Sequence, residues 1–113
     1  MAPSEYYTRI VRSELPSIEG GVPKYRTKSG LRCPIGLLIP DTHHTPKMET
    51  VPVRGLIAQW GEGVLETVQG FELKDLEAIQ KIHDSFLCGT QTRKQFLIRL
   101  KELPCFNFNS LER

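Results

Sequence analysis

The side chains that could do chemistry are concentrated in residues 30–49, an apolar segment followed by a histidine pair. A thiol, two imidazoles and two carboxylates occur there: Cys33, Asp41, His43, His44 and Glu49. A cysteine nucleophile needs a base and a group that orients the base, and these residue types could supply all three. Zinc also binds cysteine, histidine and carboxylate side chains. The segment therefore leaves two chemistries open, thiol catalysis and metal binding.

The spacing of these residues favours neither chemistry. Cys33 lies in an apolar run, where a thiol is usually inert packing, and His83 falls on the apolar stripe of a predicted helix. Structural zinc sites usually show closely paired ligands, and Cys33 and His43 have no such spacing. We therefore predict no catalytic residues, no metal site and no cofactor. The alternative is a small thiol- or metal-dependent hydrolase that uses Cys33 with His43, His44 or His83.

A basic stripe is the second feature that bears on function. Lys24, Arg26 and Lys28 alternate with uncharged residues, so a strand here would place all three on one face. Three further arginines could lie near this face: Arg9, Arg12 and Arg32. Such a stripe can bind phosphates or an acidic protein surface, or it can be a charged edge that discourages aggregation. Both interpretations stay open at this point.

Composition limits the class of protein. The chain has 113 residues, and we predict one globular domain over 1–113. Hydrophobic residues make up 39% of it and the net charge is +2, which is atypical both of disordered chains and of strongly basic nucleic-acid binders. Three cysteines without close pairing do not suggest a disulfide framework. No signal peptide is recognisable and no apolar run approaches the ~20 residues of a membrane span, so we expect a cytoplasmic protein without a membrane partner.

Helices are predicted where apolar residues recur at helical spacing. Tyr7, Ile10 and Val11 form such a stripe near the N-terminus, and Thr92 with Gln95 has the spacing of a capping box. The predicted helices are 4–15, 53–60, 72–87 and 92–103, with a polar C-terminal tail over 107–113.

A β-hairpin is predicted over about 24–35. Lys28-Ser29-Gly30 has turn composition and separates two extended runs. The predicted fold class is therefore α+β, a mostly helical domain with one small antiparallel hairpin.

A motif order extends over residues 24–86. The run Cys33-Pro-Ile-Gly-Leu-Leu-Ile-Pro-Asp41 precedes Met48-Glu49 and then Ile79-Gln-Lys-Ile-His-Asp84. This order resembles a family of small, functionally uncharacterised proteins from bacteria and their phages, with the pattern C-x-[IV]-G-x-L-I-P-D, then M-E, then I-H-D. The resemblance implies a phage or mobile-element origin and a hairpin that leads into helices, and it supplies no catalytic residues.

This chain departs from the family pattern at two places. Pro34 stands where alanine is usual, and His43-His44 stand where acidic and aliphatic residues are more common. The two histidines are therefore poor candidates for a chemistry shared by the family.

These features predict a small non-enzymatic accessory binding protein of phage or mobile-element type. It would inhibit a host (defence) protein or sequester a small anionic ligand. The predicted contact residues are Lys24, Arg26, Lys28, Arg32, Asp41, His43, His44 and Glu49. A nucleic-acid-binding protein that uses the basic hairpin is a further alternative, and no pattern in the chain predicts an oligomeric state.

Overall fold

Four α-helices make up most of the regular structure in the computed structural model, which describes residues 1–13, 17–20, 22–87 and 92–106. They are α1 (Pro3–Arg12), α2 (Val53–Trp60), α3 (Leu73–Leu87) and α4 (Arg93–Lys101). Short 3-10 turns lie at Gly36–Leu38, Pro46–Thr50, Glu62–Val64 and Pro104–Phe106. α3 packs against α2 and α4, and α1 packs against the last of these turns. The predicted tail over 107–113 lies outside the described residues.

The helix ends have local causes. Pro3 is the first residue of α1, where its missing N–H is not needed. The Thr92 side chain and the Gln95 side chain satisfy each other's backbone N–H groups in a capping box at the start of α4. α1 ends at Arg12, earlier than the expected residue 15, because the backbone of Ser13 is extended.

The buried face of α1 differs from the predicted stripe. Tyr6 and Ile10 are fully buried, whereas Val11 is 37% exposed. The Tyr6 hydroxyl donates a hydrogen bond to the carbonyl oxygen of Pro34 at 2.6 Å, so the residue reaches the core with its polar end satisfied. Tyr6 and Ile10 are four residues apart and share one face of the helix.

The prediction of an α+β domain with a hairpin over 24–35 is wrong, and the chain folds as a small helical domain. In this segment Arg26 and Arg32 form only an isolated bridge. Two backbone hydrogen bonds flank this bridge, from the N–H of Thr27 to Leu31 and from the N–H of Cys33 to Tyr25, whereas the N–H of Tyr25 donates to the carboxylate of Glu49. Pro34 has no N–H to continue a ladder, and the chain then turns into the 3-10 turn at Gly36–Leu38.

Pairing between extended segments elsewhere in the described residues is minimal. Ile18–Glu19 lies antiparallel to Val22–Pro23, two residues on each side. Pairing this short is far below the usual strand length and makes no sheet that could organise a domain.

One hydrophobic core joins the helices to the loop that precedes α2. Its fully buried members include residues of all four helical regions and of the loop: Tyr6, Ile10, Cys33, Ile35, Leu38, Met48, Leu56, Ile79, Phe96 and Leu100. Three aromatic rings, of Tyr6, Phe71 and Phe106, lie 5.2–5.9 Å apart and pack largely edge to face. The loop over 30–49 is therefore held rigidly against α1 and α3 by its apolar residues.

Candidate functional site

Glu49 is the most heavily engaged of the predicted contact residues. Its side chain is only 8% exposed. Its carboxylate accepts the N–H of Tyr25 at 2.7 Å and the N–H of Arg26 at 3.2 Å, and it lies 2.7 Å from Nε2 of His44. A carboxylate with these partners joins the 24–26 segment to the Pro46–Thr50 turn and has little capacity left for a ligand.

Asp41 links two arginines. Its Oδ1 lies 2.6 Å from Nη1 of Arg26 and 3.1 Å from Nη2 of Arg32. The Arg26 side chain is 14% exposed and also donates to the carbonyl oxygen of Ile39, whereas Asp41 is 74% exposed. The hydrogen bond and charge of Arg26, followed by the charge of Arg32, lower the pKa of the Asp41 carboxyl.

The other predicted contact residues are dispersed. Lys28 and His43 are exposed. Neither residue lines the groove beside Lys24 or the groove of Arg9, Arg12 and Arg32. Lys24 lines a groove of about 510 Å³ beside Glu49 and Lys81. Because no strand forms here and the side chain of Arg26 turns to Asp41, the cations expected on one strand face do not make one surface.

Three arginines line a groove at a different place, which we call the arginine groove. It is an open groove of about 670 Å³, lined by Arg9, Arg12, Ser13, Ser29, Gly30, Arg32 and Leu37. Arg9 and Arg12 are three residues apart on α1 and therefore project from neighbouring positions of one helix face. The turn at 28–30 and the bridge between Arg26 and Arg32 fix the backbone of Arg32, which also lines the groove.

The three arginines retain donors for a ligand. Nη1 of Arg9 lies 3.5 Å from Oε2 of Glu66, and Arg32 donates one hydrogen bond to Asp41. Arg12 is exposed and forms no ion pair with any described residue. Exposed ion pairs of this kind contribute only about 0–1 kcal/mol, so a charged ligand can compete with the carboxylates.

Cys33 does not have the surroundings of a nucleophile. It is fully buried, its Sγ accepts the N–H of Gly36 at 3.3 Å, and it lies 3.6 Å from Oε1 of Gln80. Burial raises the pKa of the Cys33 thiol to about 12. The thiol is therefore protonated at neutral pH, and the partner that its side chain contacts is an amide rather than a base.

His83 is also engaged in the interior. It is fully buried on α3, and its Nε2 accepts the backbone N–H of Ser17 at 3.2 Å. An acceptor role requires a lone pair on Nε2, and the other ring nitrogen, Nδ1, lies 3.7 Å from Oδ1 of Asp84. This hydrogen bond ties α3 to the segment that follows α1 and occupies the nitrogen that a general base would use.

Two further properties concern metals and membranes. Among the described residues, no group of three or more histidine, cysteine, aspartate or glutamate side chains is arranged to hold a metal ion. Every helix in the same residues is too short or too polar to cross a bilayer.

Comparison with known proteins leaves the geometry as the basis for a functional conclusion. No family model, curated protein or solved structure matches this chain. The motif resemblance to small bacterial and phage proteins stays a prediction.

Sequence reasoning named one arginine of the groove as a contact residue and missed the rest. Arg32 was among the predicted contacts, whereas Arg9 and Arg12 were only expected nearby, and Ser13 and Ser29 were not considered. The i, i+3 spacing of Arg9 and Arg12 was the available signal. The packing of α1 against the loop over 30–38, which joins them to Arg32, leaves no mark in the local sequence.

Proposed function

We propose that this chain is a non-enzymatic binding protein for a small anionic ligand, which it holds in the arginine groove. The observation that carries the proposal is the convergence of Arg9, Arg12 and Arg32 on one groove. Guanidinium groups are planar, always charged and suited to bidentate hydrogen bonds with oxyanions.

The dimensions and lining of the groove support a small ligand. A volume of about 670 Å³ lies within the usual range of small-molecule sites, about 300–1,000 Å³. Ser13 and Ser29 add hydroxyl oxygens, and Leu37 adds an apolar contact. The net charge of the whole chain is only +2, so the positive charge that a ligand meets is local to the groove.

The buried sulfur and imidazole weigh against the hydrolase alternative. The raised pKa of Cys33 keeps its thiol protonated, and Nε2 of His83 is committed to Ser17. A binding role is compatible with a protonated Cys33 thiol and a hydrogen-bonded His83 imidazole. Hydrolysis through Cys33, in contrast, needs an accessible thiolate.

The test is isothermal titration calorimetry with inorganic phosphate, on the wild type, Arg12→Gln and Arg54→Gln. Arg54 is the matched control because it removes the same charge from α2, where it pairs with Glu77 at 3.0 Å outside the groove. We expect Arg12→Gln to weaken binding by about tenfold or more, the usual value of a charge-assisted hydrogen bond, and Arg54→Gln to leave it unchanged.

Two results would contradict the proposal. Equal loss of affinity in both variants would show that phosphate responds to net charge rather than to the groove. Absence of phosphate binding, together with steeply salt-dependent binding of an oligonucleotide, would favour the nucleic-acid alternative.

A further inference from the structure

Asp41 is shared by two arginines, one of which, Arg32, lines the arginine groove. Arg32 is tied to the groove's edge by one hydrogen bond to Oδ1 of Asp41, at 3.1 Å. Arg26 approaches the same oxygen more closely, at 2.6 Å, and its side chain is far less exposed than that of Arg32. The two arginines therefore share one carboxylate unequally.

Because the sharing is unequal, little free energy is needed to separate Arg32 from Asp41. When Arg32 turns to a ligand, Asp41 keeps Arg26 and stays in contact with water, so no buried charge is left without a partner. Arg26 is in turn fixed by its hydrogen bond to the carbonyl oxygen of Ile39. Arg32 is thus the more distant and more exposed of the two arginines at Asp41, and it is the one that lines the groove.

The arrangement of the guanidinium groups also discriminates between oxyanions. They come from two separate elements, with Arg9 and Arg12 on α1 and Arg32 in the loop before the Gly36–Leu38 turn. A carboxylate has two acceptor oxygens in one plane, whereas a phosphate monoester has three terminal oxygens and a charge of about −1.5 to −2 at neutral pH. A phosphate can therefore accept from donors of both elements at once.

The groove is larger than a phosphate group and gives the rest of the ligand polar surroundings. Ser13 and Ser29 also line it, and their hydroxyl oxygens keep acceptor capacity beside the hydrogen bonds that they make to the Ile10 carbonyl oxygen at 2.6 Å and to the Thr27 hydroxyl at 2.9 Å. No aromatic side chain is among the described residues that line it, so no ring is available there to stack on a nucleobase. These surroundings suit a hydroxyl-rich organic part such as a sugar.

We infer that the ligand is a small phosphate monoester with a hydroxyl-rich organic part, and that its phosphate takes Arg32 from Asp41, which keeps Arg26 as its partner. The inference rests on the proposed function and specifies its ligand class. Asp41 is then an internal competitor, a residue that sets affinity without contacting the ligand.

The test is a double-mutant cycle that measures the affinity for ribose 5-phosphate. The proteins are the wild type, Asp41→Asn, Arg32→Gln and the double variant, with Glu77→Gln as the control that removes a carboxylate outside the groove. We expect Asp41→Asn to raise the affinity about twofold to fivefold, the value of an exposed ion pair that no longer competes. The rise should vanish in the Arg32→Gln background and should not occur in Glu77→Gln.

Ligand class is tested by comparison with succinate, a dicarboxylate of similar charge. We expect the wild type to bind ribose 5-phosphate at least about tenfold more tightly than succinate, because a phosphate places three acceptor oxygens on one centre, whereas each carboxylate of succinate places only two. Equal affinities would overturn the assignment to phosphate.

Other outcomes separate this inference from the proposed function. Reduced or unchanged affinity in Asp41→Asn, or an equal rise without Arg32, would overturn the exchange while phosphate binding that needs Arg12 still stands. Loss of the Arg12 requirement would overturn both.

Should Asp41→Asn fold poorly, side-chain NMR of the wild type is the deciding experiment. Ribose 5-phosphate should shift the Nε–H resonance of Arg32 and leave that of Arg26 in place. The reverse pattern would contradict the exchange.

Discussion

Glu49 takes the place of a neighbouring strand as hydrogen-bond partner of the backbone. Its carboxylate accepts the N–H groups of Tyr25 and Arg26 and also contacts His44, although it lies more than 20 residues from the first two. One side chain therefore satisfies two consecutive backbone donors of the 24–35 segment, in which Arg26 and Arg32 form only an isolated bridge. The same contact holds Arg26 where its side chain reaches Asp41.

We expect Glu49→Gln to destabilise the protein by about 1–3 kcal/mol, because the amide N–H₂ group cannot accept and leaves a buried backbone donor unsatisfied. Urea denaturation measures the free energy of unfolding. Glu62→Gln is the control, since Glu62 is exposed, and it should change stability by less than about 0.5 kcal/mol. Equal effects of the two substitutions would contradict the role assigned to Glu49.

Gly36 is required by a close approach of two backbone segments. A Cβ at this position would overlap the carbonyl oxygen of Tyr25, which accepts the N–H of Cys33 at 3.2 Å. Gly63 is different, because a Cβ there meets nothing within 4 Å. The requirement at Gly36 is one of space.

We expect Gly36→Ala to destabilise the protein by about 1–3 kcal/mol or more, the usual cost of forcing an extra methyl group into a packed core. Gly63→Ala should change the melting temperature little. Thermal denaturation followed by circular dichroism compares the two variants. A Gly36→Ala variant as stable as the wild type would show that the loop is not held at this approach.

At the scale of elements, α4 stabilises the end of α1. Arg93, the first residue of α4, donates to the carbonyl oxygens of Val11 and Ser13, the latter at 3.0 Å. These carbonyls have no partner within α1, and a cation suits the negative end of its dipole. Because Arg12 and Ser13 line the arginine groove, the contact also fixes one wall of the groove.

We expect Arg93→Gln to destabilise the fold by about 1–2 kcal/mol and to weaken phosphate binding by a few fold. The reason is that the carbonyl oxygens of Val11 and Ser13 lose their hydrogen bonds to Arg93. Lys94→Gln removes the same charge from the next residue, which is exposed, and should do neither. Calorimetric phosphate titration and urea denaturation measure the two effects. Normal affinity in Arg93→Gln would contradict a positioning role.

The helices are the part of the fold that local sequence predicts well, and the hairpin is the part that it predicts wrongly. α2 coincides with the expected 53–60, and the capping box at Thr92 was recognisable from Gln95. The hairpin signal came from the turn at 28–30, which does form, with Gly30 at a φ of 96°. The pairing beyond that turn stops at one bridge, because Glu49 takes the N–H of Tyr25 and the chain enters a 3-10 turn at Gly36, and neither feature is visible in a short window.

The arginine groove shows the same limit for the site. A period of three residues on a helix places Arg9 and Arg12 together, but only tertiary packing brings Arg32 to them. The prediction of a basic stripe assumed that residues 24–28 form a strand, in which alternate side chains lie on the same face. Because the Arg26 side chain binds Asp41 and the carbonyl oxygen of Ile39, the alternation of cations over 24–28 does not produce one basic face.

At the scale of the whole molecule, the core keeps several ionisable groups neutral. Burial raises the pKa of Cys33 and of Cys105 to about 12 and also raises the pKa of Tyr6 and Tyr25. The folded state therefore holds protons that the unfolded state releases at lower pH. Stability from these groups is fully present below the pKa of the unfolded chain and is lost as the pH rises toward the pKa of the folded one.

We expect the free energy of unfolding to fall above about pH 9, by about 1.4 kcal/mol per pH unit for each such thiol. The slope between about pH 9 and 11 should be smaller by that amount in Cys33→Ala, whatever the loss of stability from the smaller side chain. Urea denaturation at a series of pH values gives both slopes. A wild type equally stable across this range, or equal slopes in the two proteins, would contradict the buried neutral state of Cys33.

The arginine groove depends on several elements of the fold at once. α1 supplies two guanidinium groups, the loop before α2 supplies the third, and α4 holds the end of α1. The core contact between Tyr6 and Pro34 joins the first two of these parts. Binding and folding are therefore coupled through the same packing.

The most direct measurement is a titration of isotopically labelled protein with inorganic phosphate, followed by amide NMR. We predict that the largest shifts fall on residues 9–13 and 29–37, which form the arginine groove, and that they are lost in Arg12→Gln. Shifts centred instead on the groove of Lys24, Glu49 and Lys81, or no shifts up to the phosphate concentrations typical of cells, would contradict the assignment of this chain as an anion-binding protein.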